Sequence, residues 1–351
     1  MDTKSLLKEA AEKGASDIFI IAGMPITYKI GGSLTPAGST PLMPDDTTSI
    51  IKGLYDILGD RDINKLFITG DDDFSLTVRG VSRFRVNAYK QRSSFAAVIR
   101  VIQFELPDYK VLGIPPTIMD LAERRNGLIL VTGTAGSGKS TTLACLINHI
   151  NKTRPGHIVT LEDPLEYLHR HDRCIISQRE VATDTEDYVK ALRASLRQAP
   201  NVVLLGEMRD HETISVAMTA AETGHLIFST LHTVGAAHTI DRVIDAFPAN
   251  QQNQIRVQLS MVLQAVVSQQ LIPAENGGVV PAFEIMLVNN AIRNMIRESK
   301  IHQIDSVIHS SASAGMLTMD ASLLNLYKQG VISDKNAVIY SSNPEIMEKK
   351  L

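Results

Sequence analysis

The amino-acid sequence predicts an α/β fold, with a parallel-sheet domain preceded by a smaller α+β domain. In the middle of the chain, four apolar runs rich in Ile, Val and Leu alternate with helical stretches. This alternation is typical of a parallel sheet that helices cover on both faces. Three other strand-like runs stand within residues 1–103, where helical segments also occur. The two patterns therefore predict an α+β fold for the first domain and a parallel α/β fold for the second.

The first domain is predicted to span residues 1–103. Residues 4–13 have helical spacing, and residues 47–58 predict a second helix after a proline and two aspartates. A strand–turn–strand pair has Gly31 and Gly32 at its turn. The β-rich runs FSLTV, SRFRVNAYKQ and FAAVIRVI follow the second helix and complete a small α+β unit.

A linker is predicted at residues 104–117, because this segment carries three prolines and no clear period. The second domain is predicted to span residues 118–351. Beyond about residue 250, the spacing of Leu, Met and Ile predicts a helical C-terminal subdomain. The parallel strands before it are expected at residues 128–132, 157–161, 202–206 and 226–230.

Composition excludes several classes of protein. Hydrophobic residues make up 44% of the 351 residues, so a largely disordered chain is excluded. Lys plus Arg is 35 and Asp plus Glu is 38, and this slightly acidic balance leads us to expect no nucleic-acid partner. Two cysteines, Cys145 and Cys174, cannot form a disulfide framework. The charged N-terminus and the lack of 18 consecutive apolar residues predict a cytoplasmic protein with only peripheral membrane contact.

A glycine-rich string follows the first predicted parallel strand and precedes a predicted helix. Residues 133–140 read GTAGSGKS, which fits the phosphate-loop pattern G-x-x-x-x-G-K-[ST]. In such a loop the main-chain N–H groups and the helix N-terminus face phosphates, the lysine reaches the β- and γ-phosphates, and the hydroxyl is placed to ligate Mg²⁺. The sequence therefore predicts binding of ATP with Mg²⁺. The expected nucleotide-binding residues are Gly133, Thr134, Ala135, Gly136, Ser137, Gly138, Lys139, Ser140 and Thr141.

Polar side chains follow the other three predicted parallel strands. In an open parallel sheet, ligands bind beyond the carboxyl ends of the strands, so Glu162, Glu207 and His232 should reach the phosphate loop. Hydrolysis of a γ-phosphate needs an acid near Mg²⁺, a group that activates water and donors for the developing charge. We assign Glu162 as the base, Glu207 with Ser140 to the Mg²⁺ side, and His232 as the γ-phosphate sensor.

Structural roles remain open for several of these side chains. Glu162 could cap the segment that follows it, and Glu207 could be a surface acid. His232 could be a structural histidine, although His225, followed at once by apolar residues, fits that description better. Spacing alone leaves open which acid is the base. Another group has metal-ligating types in a spacing that matches no common zinc pattern, and we interpret it as polar loop side chains: His169, His171 and Cys174.

Four segments resemble, in order and spacing, the motif boxes of the secretion and pilus motor ATPases. They are GTAGSGKST (133–141, Walker A), VTLEDPLEYLHRH (159–171, Asp box), LRQAPNVVLLGEMRD (196–210, Walker B) and AAETGHLIFSTLHT (220–233, His box). GASDIFI and SRFRVNAYKQR in the first domain, with AIRNMIRESK and GMLTMDASL near the C-terminus, extend the resemblance over nearly the whole chain. The chain is most similar to the PilT-like retraction ATPases of type IV pili, the twitching motility proteins.

The resemblance implies a RecA-like P-loop NTPase core with a PAS-like N-terminal domain, assembled as a homohexamer that hydrolyses ATP. It implies that arginines of the first domain complete the nucleotide site, and the candidates are Arg83, Arg85 and Arg100. The implied partners are a PilC-like platform protein of the inner membrane and a paralogous ATPase, at the pilus base. The segment AIRNMIRESK would dock a neighbouring component, with an ordinary amphipathic helix as the alternative.

Two other functions compete with retraction. One is an assembly or type II secretion ATPase of the same superfamily, whose members often carry a four-cysteine zinc insert that two cysteines cannot supply. The other is a nucleotide-binding regulatory subunit that does not hydrolyse ATP, and Glu162, Glu207 and His232 argue against it. The sequence therefore favours a retraction motor.

Overall fold

Two separate β-sheets organise the chain, one in each of two units. The computed structural model describes residues 2–59, 61–102, 106–181 and 183–351. The units comprise Met1–Glu105 with Glu166–Leu168, and Leu106–Leu165 with His169–Leu351. Residue 103, where the first domain was predicted to end, and residues 104 and 105 of the predicted linker lie outside the described residues.

The first unit contains a six-stranded antiparallel sheet in the order β3-β2-β1-β6-β5-β4. Its strands are β1 (Asp17–Ile20), β2 (Thr27–Ile30), β3 (Ser33–Pro36), β4 (Asp71–Val78), β5 (Ser82–Gln91) and β6 (Ser94–Ile102). Its helices are α1 (Thr3–Glu12), α2 (Pro44–Leu58) and α3 (Asn64–Thr69). This arrangement agrees with the predicted α+β class, and the strand pair with Gly31 and Gly32 at its turn is β2–β3.

The core of the first unit lies between the helices and one face of this sheet. Strand β5 shows the underlying pattern, because buried Phe84 and Val86 alternate with half-buried Arg83 and Arg85. Successive side chains of a strand point to opposite faces, so the two arginines lie on the face away from the core. Leu6 and Leu7 of α1 and Ile51 and Leu54 of α2 are among the helical residues of this core.

A buried carboxylate ties the helices of the first unit to β4. Asp72 has a fully buried side chain, and the hydroxyl of Tyr55 donates to its Oδ2 over 2.8 Å. Arg61 donates from Nε to the same oxygen over 2.7 Å, and Lys65 Nζ lies 2.8 Å from Oδ1. Burial alone would raise the pKa of Asp72, but these donors outweigh it and lower the pKa.

The second unit contains a seven-stranded sheet in the order β13-β12-β7-β11-β10-β8-β9. All neighbouring strands are parallel except β13, which is antiparallel to β12. The strands are β7 (Gly127–Thr132), β8 (Gly156–Glu162), β9 (Cys174–Glu180), β10 (Val202–Leu205), β11 (Leu226–Leu231), β12 (Leu263–Pro273) and β13 (Val279–Leu287). The four strands predicted from apolar runs are β7, β8, β10 and β11.

Helices cover both faces of this sheet. They are α4 (Pro116–Met119), α5 (Lys139–Thr153), α6 (Tyr188–Ser195), α7 (His211–Glu222), α8 (Ala236–Asp245), α9 (Ala249–Val262), α10 (Asn290–Arg297), α11 (Ile304–Ser310), α12 (Met319–Lys328), α13 (Asp334–Ile339) and α14 (Pro344–Glu348). Short 3₁₀ turns occupy Asp120–Glu123, Ile301–Gln303 and Ala312–Ala314. Two apolar layers separate the sheet from its helices, one containing Leu130 and Val203 and the other Ile129 and Phe228. In the described part of the chain, no helix combines the length and apolar character needed to cross a membrane.

The prediction that the chain is mostly helical after about residue 250 was wrong for residues 263–287. Helix α9 runs directly into β12, which pairs with β7 and forms a hairpin with β13. Most of β12 is buried on both faces, so its apolar residues do not alternate with polar ones. A run of this kind cannot be told from a buried helix by periodicity. Helices dominate only from residue 290 onward.

Candidate nucleotide-binding site

The phosphate loop connects β7 to α5 and requires glycine at two positions. Gly133 has φ of 141° and Gly138 has φ of 88°, conformations that other residues rarely adopt. A Cβ on Gly133 would collide with the main-chain oxygen of Gln269. The N-terminus of α5 begins at Lys139, so its free N–H groups and positive dipole end stand next to the loop.

Lys139 lies inside this loop. Its Nζ donates to the main-chain oxygens of Gly133, over 2.9 Å, and Thr134, over 2.8 Å. The side chain is largely buried, at 8% exposure, although it is charged. A buried ammonium group that stands among loop carbonyls is positioned to exchange them for phosphate oxygens.

Main-chain hydrogen bonds align the strand ends beside the loop. Gly133 donates to Leu231 O over 3.3 Å, which joins the loop to the end of β11. Gly206 donates to Leu161 O over 2.8 Å, which joins the ends of β10 and β8. The hydroxyl of Thr230 donates to Gly206 O over 2.6 Å and joins β11 to β10. The segments that carry Glu162, Glu207 and His232 therefore meet at one sheet edge.

Glu207 has an arginine and a histidine as neighbours at this edge. Its Oε2 lies 3.4 Å from His232 Nε2, and Arg209 pairs with its Oε1. The Glu207 side chain is 13% exposed, whereas His232 is 60% exposed. The structure thus brings Glu207 and His232 together as predicted, and adds Arg209, to which the sequence reasoning gave no role. The hydrogen bond and charge of Glu207 raise the pKa of Arg209, which stays positive.

Glu162 is the last residue of β8 and adjoins Gly206. A Cβ on Gly206 would lie 3.4 Å from the Cα of Glu162 and 2.7 Å from the hydroxyl of Tyr188. Burial and then the charges of Asp163, Glu207 and Glu162 raise the pKa of Tyr188, so its hydroxyl keeps its proton at neutral pH. The sequence reasoning gave Tyr188 no role, because Tyr188 begins helix α6 and does not follow the end of a strand.

The loop after His232 is held from β12 and β13. Gly235 N donates to the hydroxyl of Ser268 over 2.9 Å, and Ala236 N donates to Glu284 Oε1 over 2.7 Å. Burial raises the pKa of Glu284 above its usual range. These side chains lie in the region predicted to be helical, so the sequence gave no reason to place them near the site.

Two other histidines, His225 and His171, have local hydrogen-bond partners. His225 lies at the opposite end of β11 from His232, and its Nδ1 stands 3.0 Å from Ala220 O. His171 Nδ1 accepts a hydrogen bond from Ile176 N over 3.0 Å. Burial lowers the pKa of His169 to about 4, so this histidine is neutral at pH 7. His169 and His171 lie in the loop before β9, but Cys174 is the buried first residue of that strand, so the interpretation of all three as polar loop side chains was wrong for Cys174.

The three candidate arginines share one face of the sheet in the first unit. Arg85 stands opposite Arg100 in the β5–β6 ladder, and Arg83 precedes Arg85 by two residues on the same side. Arg100 is 69% exposed, and its Nε donates to Asp17 Oδ1 over 3.2 Å. Their grouping makes a positively charged strip on the face away from the core.

The sequence is similar to one protein family and to several curated proteins. The family model described as "Type II/IV secretion system protein" matches residues 2–313. The "Type IV pilus retractation ATPase PilT" of Pseudomonas aeruginosa is 44% identical, with 98% of this chain and 99% of the relative covered. The "Type IV pilus ATPase PilU" of the same organism is 38% identical, with 98% and 89% covered. A "Twitching motility protein" of Neisseria gonorrhoeae is 48% identical, with 78% and 74% covered.

A solved structure resembles the chain along its whole length. The crystal structure of the pilus retraction motor PilT with bound ADP has a TM-score of 0.91 and 46% identity, and 99% of each chain is covered. The predicted fold class and the resemblance to pilus retraction ATPases are thereby confirmed. With its matched residues, its phosphate loop and its strand-end acids, the chain belongs to the family of type II/IV secretion system proteins.

Proposed function

We propose that this chain is an ATP-hydrolysing motor that powers retraction of a type IV pilus. One observation carries the proposal. The phosphate loop with Lys139 lies at the sheet edge where Glu162, Glu207 and His232 meet, in a chain that resembles a pilus retraction ATPase over 98% of its length. Nucleotide binding accounts for the loop, and hydrolysis accounts for the acids beside it.

The residues divide the chemistry among them. Lys139 and the N-terminal N–H groups of α5 hold the β- and γ-phosphates. Glu162 accepts a proton from the attacking water, and His232, held by Glu207, detects the γ-phosphate. Tyr188 and Arg209 border the same edge and supply donors close to these acids.

The oxygen atoms of two side chains at this edge are also suitable ligands for Mg²⁺. The hydroxyl of Ser140 and the carboxylate of Glu207 are oxygen ligands, which Mg²⁺ prefers. Glu207 is mostly buried and already pairs with the positively charged Arg209, so its carboxylate is placed to accept a cation. Ser140 and Glu207 would hold the ion, which would neutralise charge on the phosphate oxygens during hydrolysis.

We propose a homohexamer in which one subunit completes the site of the next. Arg83, Arg85 and Arg100 form a positively charged strip that suits a γ-phosphate, and an arginine supplied from a neighbour typically accelerates hydrolysis by roughly 10³–10⁵. A PilC-like platform protein of the inner membrane would receive the motion, at the pilus base. A second pilus ATPase occurs beside PilT in Pseudomonas aeruginosa, which supports a paralogous partner here.

Two measurements test the function. Purified protein should release phosphate from ATP with Mg²⁺ and migrate as a hexamer, and Lys139→Ala should abolish both nucleotide binding and turnover. Deletion of the gene should leave cells with excess pili and no twitching. Cells without pili would instead indicate an assembly motor, and a ring without turnover would indicate a regulatory subunit.

A further inference from the structure

Strand β12 meets the phosphate loop at one side chain, Gln269. Ser268 pairs with Thr132 in the β12–β7 ladder, so Gln269 stands beside Gly133, the first residue of the loop. Gln269 is only 3% exposed. A buried amide of this kind needs hydrogen bonds that repay its loss of water.

The amide finds its partner in the first turn of α5. Thr142, which is fully buried, donates from its hydroxyl to Gln269 Oε1 over 2.7 Å. Thr142 N in turn donates to Gly138 O over 3.1 Å. The hydrogen bond that Gln269 accepts from Thr142 therefore acts on the turn that carries Lys139.

The rest of Gln269 shapes the loop itself. Its Nε2 lies 2.8 Å from the position of a Cβ on Gly138, and its main-chain oxygen occupies the space where a Cβ on Gly133 would lie. Both glycines of the loop that have little free space thus pack on one residue of β12. Gln269 therefore contacts the phosphate loop at both of its ends, Gly133 and Gly138.

We propose that Gln269 is a positioning residue that fixes the phosphate loop and the first turn of α5 in the geometry that binds nucleotide. The inference rests on the proposed function, since it concerns the same site. Gln269 would act through Thr142 and the loop glycines. A loop held in this way is preorganised, so loss of the hydrogen bond should weaken nucleotide binding more than it changes the chemical step.

The test uses two nearly isosteric substitutions in the full-length chain. Gln269→Met and Thr142→Val each remove one partner of the hydrogen bond with little change in volume. We expect each to weaken ADP binding about tenfold, the size of one buried hydrogen bond, and the double variant to be no weaker than the singles. Thr142→Ser, which keeps the hydroxyl, should bind ADP as the wild type does.

The neighbouring glutamine supplies the matched control. Gln270 donates from Nε2 to Tyr340 O over 3.3 Å, in the C-terminal helical region and away from the loop. Gln270→Met should leave the ADP dissociation constant unchanged. In steady-state assays, Gln269→Met should raise KM for ATP about tenfold, with kcat changed much less.

Several results would overturn the proposal. If Gln269→Met and Thr142→Val bind ADP as tightly as the wild type, Gln269 only fills the core. Additive losses in the double variant would show that the two side chains do not act together. If the wild-type chain itself binds no ADP, the proposed function fails along with the inference, and this outcome is distinct from the first two.

Discussion

At the scale of single residues, the two acids of the site have different surroundings. Glu207 is held between Arg209 and His232. Glu162 is the last residue of its strand and lies beside Gly206, the residue that precedes Glu207 in the chain. A pair of acids in unlike surroundings can divide the work of holding a cation and activating water.

Replacement of Glu162 tests this division. Glu162→Gln should bind ADP with unchanged affinity but release phosphate roughly 10²–10⁴ times more slowly, because it removes the general base and little else. Binding by calorimetry and turnover by phosphate release measure the two effects separately. The exposed acid Glu186, which pairs with Lys190, gives the control Glu186→Gln, expected to behave as wild type. Unaltered turnover in Glu162→Gln would transfer the role to another acid.

Asp72 contributes to the stability of the first unit through the ion pairs of its buried carboxylate. Asp72→Asn weakens the charged hydrogen bonds from Arg61 and Lys65, whose side chains are partly exposed to water, so it should lower the free energy of unfolding by about 1–3 kcal/mol. The chain contains no tryptophan, so circular dichroism in urea is the suitable measurement. Asp71, exposed on the same strand, gives the control Asp71→Asn. A loss equal to that of the control would contradict the role of the network.

The same network predicts how stability depends on pH. Because the pKa of Asp72 is lower in the folded chain than in the unfolded chain, its contribution is present above the unfolded value of about 4. It is lost as the pH falls from there toward the folded value. Wild-type protein should therefore lose stability on acidification more steeply than Asp72→Asn. Parallel pH profiles in urea titrations would contradict this assignment.

The sequence predicts the residues of the site better than their supports. Glu162, Glu207 and His232 lie at strand ends or within two residues of them, and Lys139 ends the loop after β7. The rule that parallel strands end at one edge is enough to group them. Gln269 supports the loop from a strand that is remote in sequence, and its role depends on the register of β12 with β7. A local sequence pattern cannot predict how β12 aligns with β7.

At the scale of elements, α9 and α10 are joined by one arginine. Arg293 Nη1 donates to Ser260 O over 2.5 Å and to Met261 O over 2.9 Å, at the carboxyl end of α9. These carbonyls have no partner within the helix, so a cation that binds them stabilises the helix end. The side chain of Arg293 is thus used in contacts within the chain, whereas Arg297 is exposed.

Substitutions in α10 should separate folding from docking. Arg293→Ala should lower the free energy of unfolding by about 1–3 kcal/mol, since it removes charged hydrogen bonds, while Arg297→Ala should change it by less than about 0.5 kcal/mol. Thermal unfolding followed by circular dichroism measures both. If the two variants unfold alike, the contacts of Arg293 with α9 do not contribute to stability.

Arg297 then gives the cleaner test of the proposed docking surface. Arg297→Glu should preserve ATP hydrolysis by purified protein but stop twitching in cells that depend on this chain. Arg297→Lys keeps the charge and is the matched control. Twitching at the wild-type rate in Arg297→Glu would favour the alternative of an ordinary amphipathic helix.

The hairpin of β12 and β13 shows where pattern reasoning stops at this scale. Strand β12 is mostly buried on both faces and has no polar alternation, and α9 ends directly before its first residue. The spacing of Leu, Met and Ile therefore shows no break between α9 and β12. By contrast, β7, β8, β10 and β11 are separated by clear helices and turns, and these breaks made them predictable.

At the scale of the whole molecule, the charged strip of the first unit predicts cooperation between subunits. If Arg100 completes the site of a neighbour, Arg100→Ala should slow hydrolysis while ADP binding stays close to wild type. Mixed rings of Arg100→Ala and Lys139→Ala subunits should then recover part of the activity, because some sites combine an intact loop with an intact arginine. A mixture that stays as inactive as each parent would contradict an arginine supplied by the neighbour.

Phosphate release by the purified ring, measured with its molar mass on the same sample, tests the central claim most directly. The account predicts ATP turnover in a species of six subunits, lost in Lys139→Ala and strongly reduced in Glu162→Gln. Wild-type protein that forms the ring and binds ADP but releases no phosphate would contradict it.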